Sequence, residues 1–139
     1  MATPPPPWPP PGRVDRPLAV LVSGGLDSAI LLAEALRSYA HVHPVYVQVA
    51  ALWEAVELAH LRRFLAAVAA PNLRPLVVLS QPVADVYGDH WSLSGEGVPA
   101  SDSPDDAVFL PGRNVLLLAK PLLWCHLNRV PAVATAPLA

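Results

Sequence analysis

The stretch LAVLVSGGLDS, residues 18–28, decides the fold of this chain. Its five leading apolar residues predict a buried strand, and the apolar run of residues 29–36 predicts a helix directly after it. The glycine pair between the two lets the backbone approach a ligand closely, and the first N–H groups of the helix point to the same place. The sequence therefore predicts an anion site at this strand-to-helix turn.

The residues of the turn indicate which anion it binds. The turn has no lysine of the GxxxxGK type and does not match GxGxxG, which excludes two common phosphate loops. Ser23 offers a hydroxyl to a phosphate oxygen, and Ser28 is expected to cap the helix or to do the same. The charge of Asp27 repels phosphates unless this residue caps the helix or holds Mg²⁺. An ordinary turn with a Ser/Asp cap is the simpler alternative.

A second motif, FLPGRN at residues 109–114, precedes another apolar run. Pro and Gly favour a turn, and Asn114 is expected to be the N-cap of the helix behind it. Arg113 then lies at a helix start, where a cation opposes the helix dipole. This placement indicates an anionic partner, a triphosphate or a substrate carboxylate, with a solvated loop arginine as the alternative.

The string SGGLDS between a strand and a helix resembles the PP-loop of the ATP pyrophosphatase superfamily, in which this loop holds the phosphates of ATP. Together with LPGRN, it is similar to the 7-cyano-7-deazaguanine synthases of the QueC/ExsB family. The resemblance implies an ATP-dependent C–N ligase of queuosine biosynthesis, acting on 7-carboxy-7-deazaguanine and ammonia. In the implied reaction, ATP activates the carboxylate, ammonia gives the amide, and dehydration gives the nitrile.

The two motifs also define the expected site. Asp27 and Arg113 are expected to be catalytic, with Asp27 as the Mg²⁺ ligand. The expected nucleotide-binding residues are those of the two motifs and of the strand end before the first: Leu21, Val22, Ser23, Gly24, Gly25, Leu26, Asp27, Ser28, Gly112, Arg113 and Asn114.

The chain departs from the family at its C-terminal end. The resemblance implies a further segment with a zinc-binding cysteine cluster, whereas this sequence has one cysteine, Cys125, which we expect to be buried rather than reactive. We therefore expect no zinc ligands, a sheet that is incomplete at the C-terminus, and an uncovered apolar face that favours a homodimer. The alternatives to the ligase are a truncated, non-catalytic ATP-binding module and another amide-forming or thiolating PP-loop enzyme.

Strands alternate with helices along the chain. The predicted strands are residues 18–22, 43–49, 76–79 and 130–136, and the predicted helices are residues 28–38, 53–69 and 114–128. The alternation predicts an α/β fold, a three-layer, mostly parallel Rossmann-like sheet, which the resemblance makes adenine nucleotide alpha-hydrolase-like. Ligands of such sheets lie at the carboxyl ends of the strands. On the second helix, Glu54 and Glu57 lie off the apolar stripe and are predicted to be solvated.

The stretch of residues 80–108 is too long for a simple connector, so we expect it to be functional or disordered. It carries Tyr87, His90 and Trp91, which are candidates to stack on a purine-like ring, with core packing as the alternative. Three aspartates near its end are candidates for a base or metal contact, with a solvated loop as the preferred interpretation.

Composition limits the class of partner. Residues 1–16 are rich in proline and are expected to form a disordered tail, with one PP-loop ATP-binding domain over residues 17–139. Hydrophobic residues make up 53% of the chain, enough for a core, whereas 14% charged residues and a net charge of −2 argue against a nucleic-acid surface. The sequence has no secretory signal and no apolar run of membrane-spanning length, so we expect a cytoplasmic protein without a membrane partner.

Overall fold

A computed structural model describes residues 14–102 and 112–136. Four parallel strands form one sheet: β1 (Leu18–Leu21), β2 (Val42–Gln48), β3 (Val77–Ser80) and β4 (Val133–Ala134). The helices are α1 (Leu26–Ser38), α2 (Glu54–Ala67), α3 (Ala84–Tyr87), α4 (Trp91–Ser94) and α5 (Arg113–Leu127). The predicted α/β class is confirmed. The fourth strand lies within its predicted range of residues 130–136 but has only two residues. The stretch of residues 80–108, expected to be functional or disordered, contains two helical turns, α3 and α4.

The strand order puts the turn after β1 where open parallel sheets bind their ligands. The order across the sheet is β3-β2-β1-β4, so the chain moves in one direction from β1 to β3 and then returns to the other side of β1. Ligands of open parallel sheets bind at the carboxyl ends of the strands where the order reverses. Here the reversal lies between β1 and β4, and the glycine turn follows β1 at that point.

The sheet separates two apolar layers. Side chains alternate along a strand, and Leu18, Val20 and Val22 pack on the side of α1 and α2. Ala19 and Leu21 point the other way and pack in a second cluster that includes residues of α5. The chain therefore has three layers, with α1 and α2 on one face and α5 on the other.

The two faces are covered to different degrees. Leu32 of α1 and Leu61 of α2 are fully buried against the sheet, and the predicted apolar stripe of α2 joins the same cluster. On the other face, α5 buries Pro121 and Cys125, so the prediction that Cys125 is buried is confirmed. The outer side of α5 exposes more than half of the side chains of three leucines: Leu122, Leu123 and Leu127.

The described chain begins in contact with the domain. Val14 pairs with Tyr39 in an isolated parallel bridge, its N–H donating to the carbonyl of Ser38 and its own carbonyl accepting from the N–H of Ala40. Of the predicted tail, residues 14–16 are described and Val14 contacts the domain, whereas residues 1–13 lie outside the described residues. Within residues 14–102 and 112–136, no helix is both long and apolar enough to cross a membrane.

Candidate functional site

The turn between β1 and α1 leaves the start of a helix without a side-chain cap. The N-cap is Gly25, with extended backbone at φ −80° and ψ 167°, and it makes no side-chain cap hydrogen bond because it has no side chain. The first four N–H groups of any helix lack partners within that helix. At the start of α1 the N–H of Gly25 donates to Oγ of Ser23, and the following N–H groups of the first turn are the ones that an anion would bind, favoured by the helix dipole.

Two serines hold the turn in shape. The N–H of Ser23 donates to Oγ of Ser28 at 3.1 Å, and the N–H of Gly25 lies 3.3 Å from Oγ of Ser23. The Ser28 hydroxyl in turn donates to the carbonyl of Gly25 at 3.2 Å. The expectation that Ser28 or Asp27 caps the helix is wrong, because α1 begins at Leu26 and both residues lie inside its first turn. Ser28 is buried, and its hydroxyl links Ser23 to Gly25 through these hydrogen bonds.

Gly24 has two separate reasons to be glycine. Its φ is +83°, in the left-handed region that other residues adopt at a cost. A Cβ at this position would lie 3.3 Å from the carbonyl oxygen of Glu57 and 3.4 Å from its Cγ. The turn therefore rests directly on α2.

Asp27 is exposed in the first turn of α1, on the open side of the loop. Its negative charge interacts favourably with the helix dipole. Mg²⁺ bound to a nucleotide usually takes one or two protein carboxylates and completes its shell with water and phosphate oxygens, so one exposed carboxylate fits that role. The described residues contain no group of three or more His, Cys, Asp or Glu placed to hold a metal by themselves, and the single cysteine cannot supply the thiolate cluster of a zinc site.

The second motif contributes the start of α5. The N-cap is Gly112, at φ +70°, and the helix begins with Arg113. The expectation that Asn114 is the N-cap is therefore wrong, because Asn114 is the second helical residue. Arg113 is exposed at the positive end of a helix with no acidic residue in its first turn. The preceding residues of the motif, 109–111, and the aspartates at positions 105 and 106 lie outside the described residues.

The fold brings the two motifs to one edge of the sheet. A helix that connects parallel strands runs back along the sheet, so α1, α2 and α5 all begin at the carboxyl ends of the strands. Burial is the main cause of the raised pKa of the Glu57 carboxyl, which the charge of Arg113 partly offsets, and the Glu57 backbone lies against Gly24. The predicted nucleotide-binding residues of both motifs therefore belong to helix starts at the same edge of the sheet.

Sequence reasoning missed two residues next to the loop. The hydroxyl of Tyr46, which is 2% exposed on β2, donates to Oε1 of Glu57 at 3.0 Å. The prediction of a solvated Glu57 is thus wrong, since the residue is only partly exposed. Tyr46 is two residues before the end of β2, and its side chain packs on the α2 side of the sheet while that of Val45 packs on the other side. This alternation was the signal that its hydroxyl would need a partner on α2.

Glu54 is also buried, contrary to prediction. Both carboxylate oxygens accept from the N–H of Val49, at 3.0 and 3.1 Å, and Oε1 also accepts from the N–H of Ala51. These bonds tie down the loop from β2 to α2, in which Ala50 has a φ of 68° that only glycine adopts freely. Glu54 therefore shapes the carboxyl end of β2.

Two cavities lie at opposite edges of the sheet. One of about 290 Å³ is at the carboxyl ends of β2 and β3. It is lined by Gln48, Ala50, Ala51, Glu54 and Ser80. A larger one, of about 420 Å³, lies beyond the C-terminal half of α2, on the side where β3 begins. Of these two cavities, the smaller one lies at the edge of the sheet that carries the turn between β1 and α1.

The aromatic residues of the long connection contact each other. The ring centroids of Trp91 and Trp53 are 5.8 Å apart, and those of Trp91 and His90 are 5.4 Å apart. His90 is the N-cap of α4, and its side chain accepts from the N–H of Ser92. Trp91 is half-buried and contacts Trp53, which is exposed just before α2. Stacking of Tyr87, His90 and Trp91 on a purine-like ring stays a prediction.

Comparison with known families gives one finding. A family model described as "Queuosine biosynthesis protein QueC" matches residues 18–136, which include the phosphate loop and the start of α5. The matched range contains every strand and helix of the structure.

Proposed function

Because the chain belongs to the family of queuosine biosynthesis protein QueC, we propose that it is an ATP-dependent C–N ligase that converts 7-carboxy-7-deazaguanine and ammonia to 7-cyano-7-deazaguanine. One observation carries this proposal. The uncapped glycine turn before α1 and the helix start at Arg113 lie at the same edge of the sheet, where the strand order reverses. An anion-binding loop and a second cation on one edge suit a triphosphate and a substrate carboxylate.

Each residue of the site has a role in the proposal. The N–H groups at the start of α1 bind phosphate oxygens, while the hydroxyl of Ser23 adds a further donor. Asp27 would hold Mg²⁺, which would offset the charge of the phosphates. ATP supplies the activation that lets ammonia displace a carboxylate oxygen. Arg113 neutralises negative charge on the phosphates or on the substrate carboxylate, where its planar guanidinium makes paired hydrogen bonds.

The cavity of about 290 Å³ is the proposed place of the ring system. Its size is close to the lower end of the range for small-molecule sites, which starts at about 300 Å³. The side-chain amide of Gln48 would contact a purine-like edge at the end of β2, while the backbone carbonyl of Gln48 accepts from the N–H of Gln81. The tie between Glu54 and the loop keeps this wall fixed before the ligand arrives.

We also propose that the chain forms a homodimer through α5. The outer leucines of this helix are exposed, whereas apolar residues on both sides of a helix are typical of a helix that is covered on both sides. The proposed partners are then ATP, ammonia, the deazapurine acid and a second copy of the same chain.

The proposal is tested first by binding and then by turnover. Mg-ATP is titrated into the purified chain by calorimetry, with Gly25→Val as the loop variant, since a Cβ at Gly25 would lie 3.3 Å from Oγ of Ser23. Conversion of 7-carboxy-7-deazaguanine is then followed by chromatography in the parent chain and in Asp27→Ala. We expect binding to be lost in the first variant and turnover to fall about 100-fold in the second, the scale of one electrostatic group at a reacting centre.

Asp15→Ala is the matched control for the charge change, because Asp15 is exposed and lies before β1, at the opposite edge of the sheet. It should leave both readouts unchanged. ATP binding without turnover would replace the ligase by a nucleotide-binding module. Turnover that survives in Asp27→Ala would remove the Mg²⁺ role from Asp27.

A further inference from the structure

The hydroxyl of Tyr46 links the sheet to α2 beneath the phosphate loop. Tyr46 is almost fully buried, and a buried hydroxyl without a partner destabilises the fold. Its partner is Oε1 of Glu57, at 3.0 Å. The carboxyl group of Glu57 is therefore held in one orientation by a residue of β2.

The same glutamate supports the loop from below. Its carbonyl oxygen and its Cγ are the two atoms nearest to the Cβ position of Gly24, at 3.3 and 3.4 Å. Glycine is needed there partly because Glu57 occupies the space. Any shift of α2 at this residue would therefore be felt by the turn that presents the N–H groups of α1.

Groups on β2, α2 and α5 change the pKa of the Glu57 carboxyl. Burial raises the pKa of its carboxyl, the hydrogen bond from Tyr46 lowers it, the charge of Glu54 raises it, and the charge of Arg113 lowers it, with a raised pKa as the net result. Glu57 on α2 and Arg113 at the start of α5 therefore attract each other by charge.

We propose that Glu57, oriented by Tyr46, is a positioning residue that holds the phosphate loop in shape and draws Arg113 toward it. This inference rests on the proposed function, because it assumes that Arg113 acts on an anion bound at the loop. Glu57 does not touch that anion. It acts through Gly24 by contact and through Arg113 by charge, so that a second cation is in place when the phosphates arrive.

The first test uses the chain without nucleotide. Glu57→Gln keeps an oxygen that accepts from Tyr46 and removes the charge, while Tyr46→Phe keeps the charge and removes the donor. In amide NMR spectra, both changes should shift the resonances of Gly24 and Gly25 further than Glu34→Gln does. Glu34 is a matched control because it lies two turns into α1 and pairs with Arg37. Loop resonances that do not move in either variant would overturn the inference, whatever the outcome with ATP.

The second test is a double-mutant cycle on the affinity for Mg-ATP. Glu57→Gln should weaken binding about tenfold in the parent chain, the scale of one charge-assisted hydrogen bond. In the Arg113→Gln background the same change should weaken binding less than twofold, since the residue it positions is gone. Equal losses in both backgrounds, or no loss in the parent, would overturn the inference.

The two tests separate the inference from the proposed function. A parent chain that does not bind Mg-ATP contradicts the proposed function, and the NMR shifts then decide on their own whether Glu57 supports the loop. A parent chain that binds Mg-ATP, with additive losses in the cycle, retains the function and contradicts the role given to Glu57.

Discussion

The two faces of the sheet carry different kinds of organisation. The face under α1 and α2 is closed, with Leu32 and Leu61 fully buried, and it contains the polar pair of Tyr46 and Glu57 directly below the phosphate loop. The face under α5 is covered by one helix, which has exposed leucines on its outer side. The first face thus supports the site by contact, whereas the second contributes one cation, Arg113, from the end of a helix.

This difference predicts which property a substitution on each face should change. On the α1 and α2 side, stability and site geometry depend on the same residues, because α2 is both part of the core and the wall behind Gly24. On the α5 side the outer residues belong to neither the core nor the site. We therefore expect changes there to affect association alone.

The largest expected effect is the loss of a core leucine. Leu61→Ala should lower the free energy of unfolding by about 2–5 kcal/mol, because it removes buried methyl groups and leaves a cavity. Leu123→Ala makes the same chemical change on the exposed side of α5 and should change that free energy by less than about 0.5 kcal/mol. Urea unfolding followed by circular dichroism measures both. Equal losses would show that the second face is as well packed as the first.

The next effect concerns Gly24. Gly24→Ala should destabilise the chain by about 1–2 kcal/mol for its left-handed backbone, with a further loss because the methyl group presses on Glu57. Gly97→Ala is the matched control, since Gly97 has a φ of +69° and no atom within 4 Å of the added Cβ. Only the first variant should also weaken Mg-ATP binding in calorimetry. An equal loss of unfolding free energy in Gly97→Ala would show that the contact between Gly24 and α2 does not add to the cost of the substitution.

A smaller effect is the pH dependence carried by Glu57. Burial raises the pKa of this carboxyl in the folded chain above the ordinary value of 4.5. The stability that it contributes is thus fully present below pH 4.5 and is lost as the pH rises through the raised folded pKa. Urea unfolding of the parent and of Glu57→Gln is measured across this interval. We expect the free energy of unfolding of the variant to rise relative to that of the parent as the pH rises. A difference that does not vary with pH would mean that the carboxyl titrates normally.

The smallest effect on stability comes from the outer side of α5. The double change Leu122→Gln and Leu123→Gln should leave the free energy of unfolding within about 0.5 kcal/mol of the parent value. It should convert a dimer to a monomer in light-scattering measurements of mass. A parent chain that is already monomeric would contradict the proposed homodimer and leave the comparison of the faces otherwise intact.

Local sequence predicted the elements and their order well. A run of apolar residues, a glycine pair and a second apolar run are sufficient to define β1, the turn and α1, because each signal acts over a few neighbouring residues. The helix starts were less accurate. Asn114 and Ser28 looked like caps by residue type, but glycines occupy both N-cap positions, since these two turns need backbone geometry or space that a side chain would take up.

The roles of Glu54 and Glu57 were mispredicted for a different reason. Both lie off the apolar stripe of α2, and a charged residue in that position is normally solvated. Their burial depends on partners elsewhere in the chain, the N–H groups of the β2 loop for one and the Tyr46 hydroxyl for the other. No pattern within α2 carries that information.

The amino-acid sequence alone determined that this chain is a parallel α/β protein with a glycine turn between its first strand and first helix, because propensity, periodicity and the two glycines act locally. The tertiary structure alone decided that β4 lies next to β1, that Arg113 therefore shares an edge with the phosphate loop, and that Glu57 stands behind Gly24. Strand order and helix packing bring together residues that are far apart in the chain, and the chemistry of the site arises from that proximity.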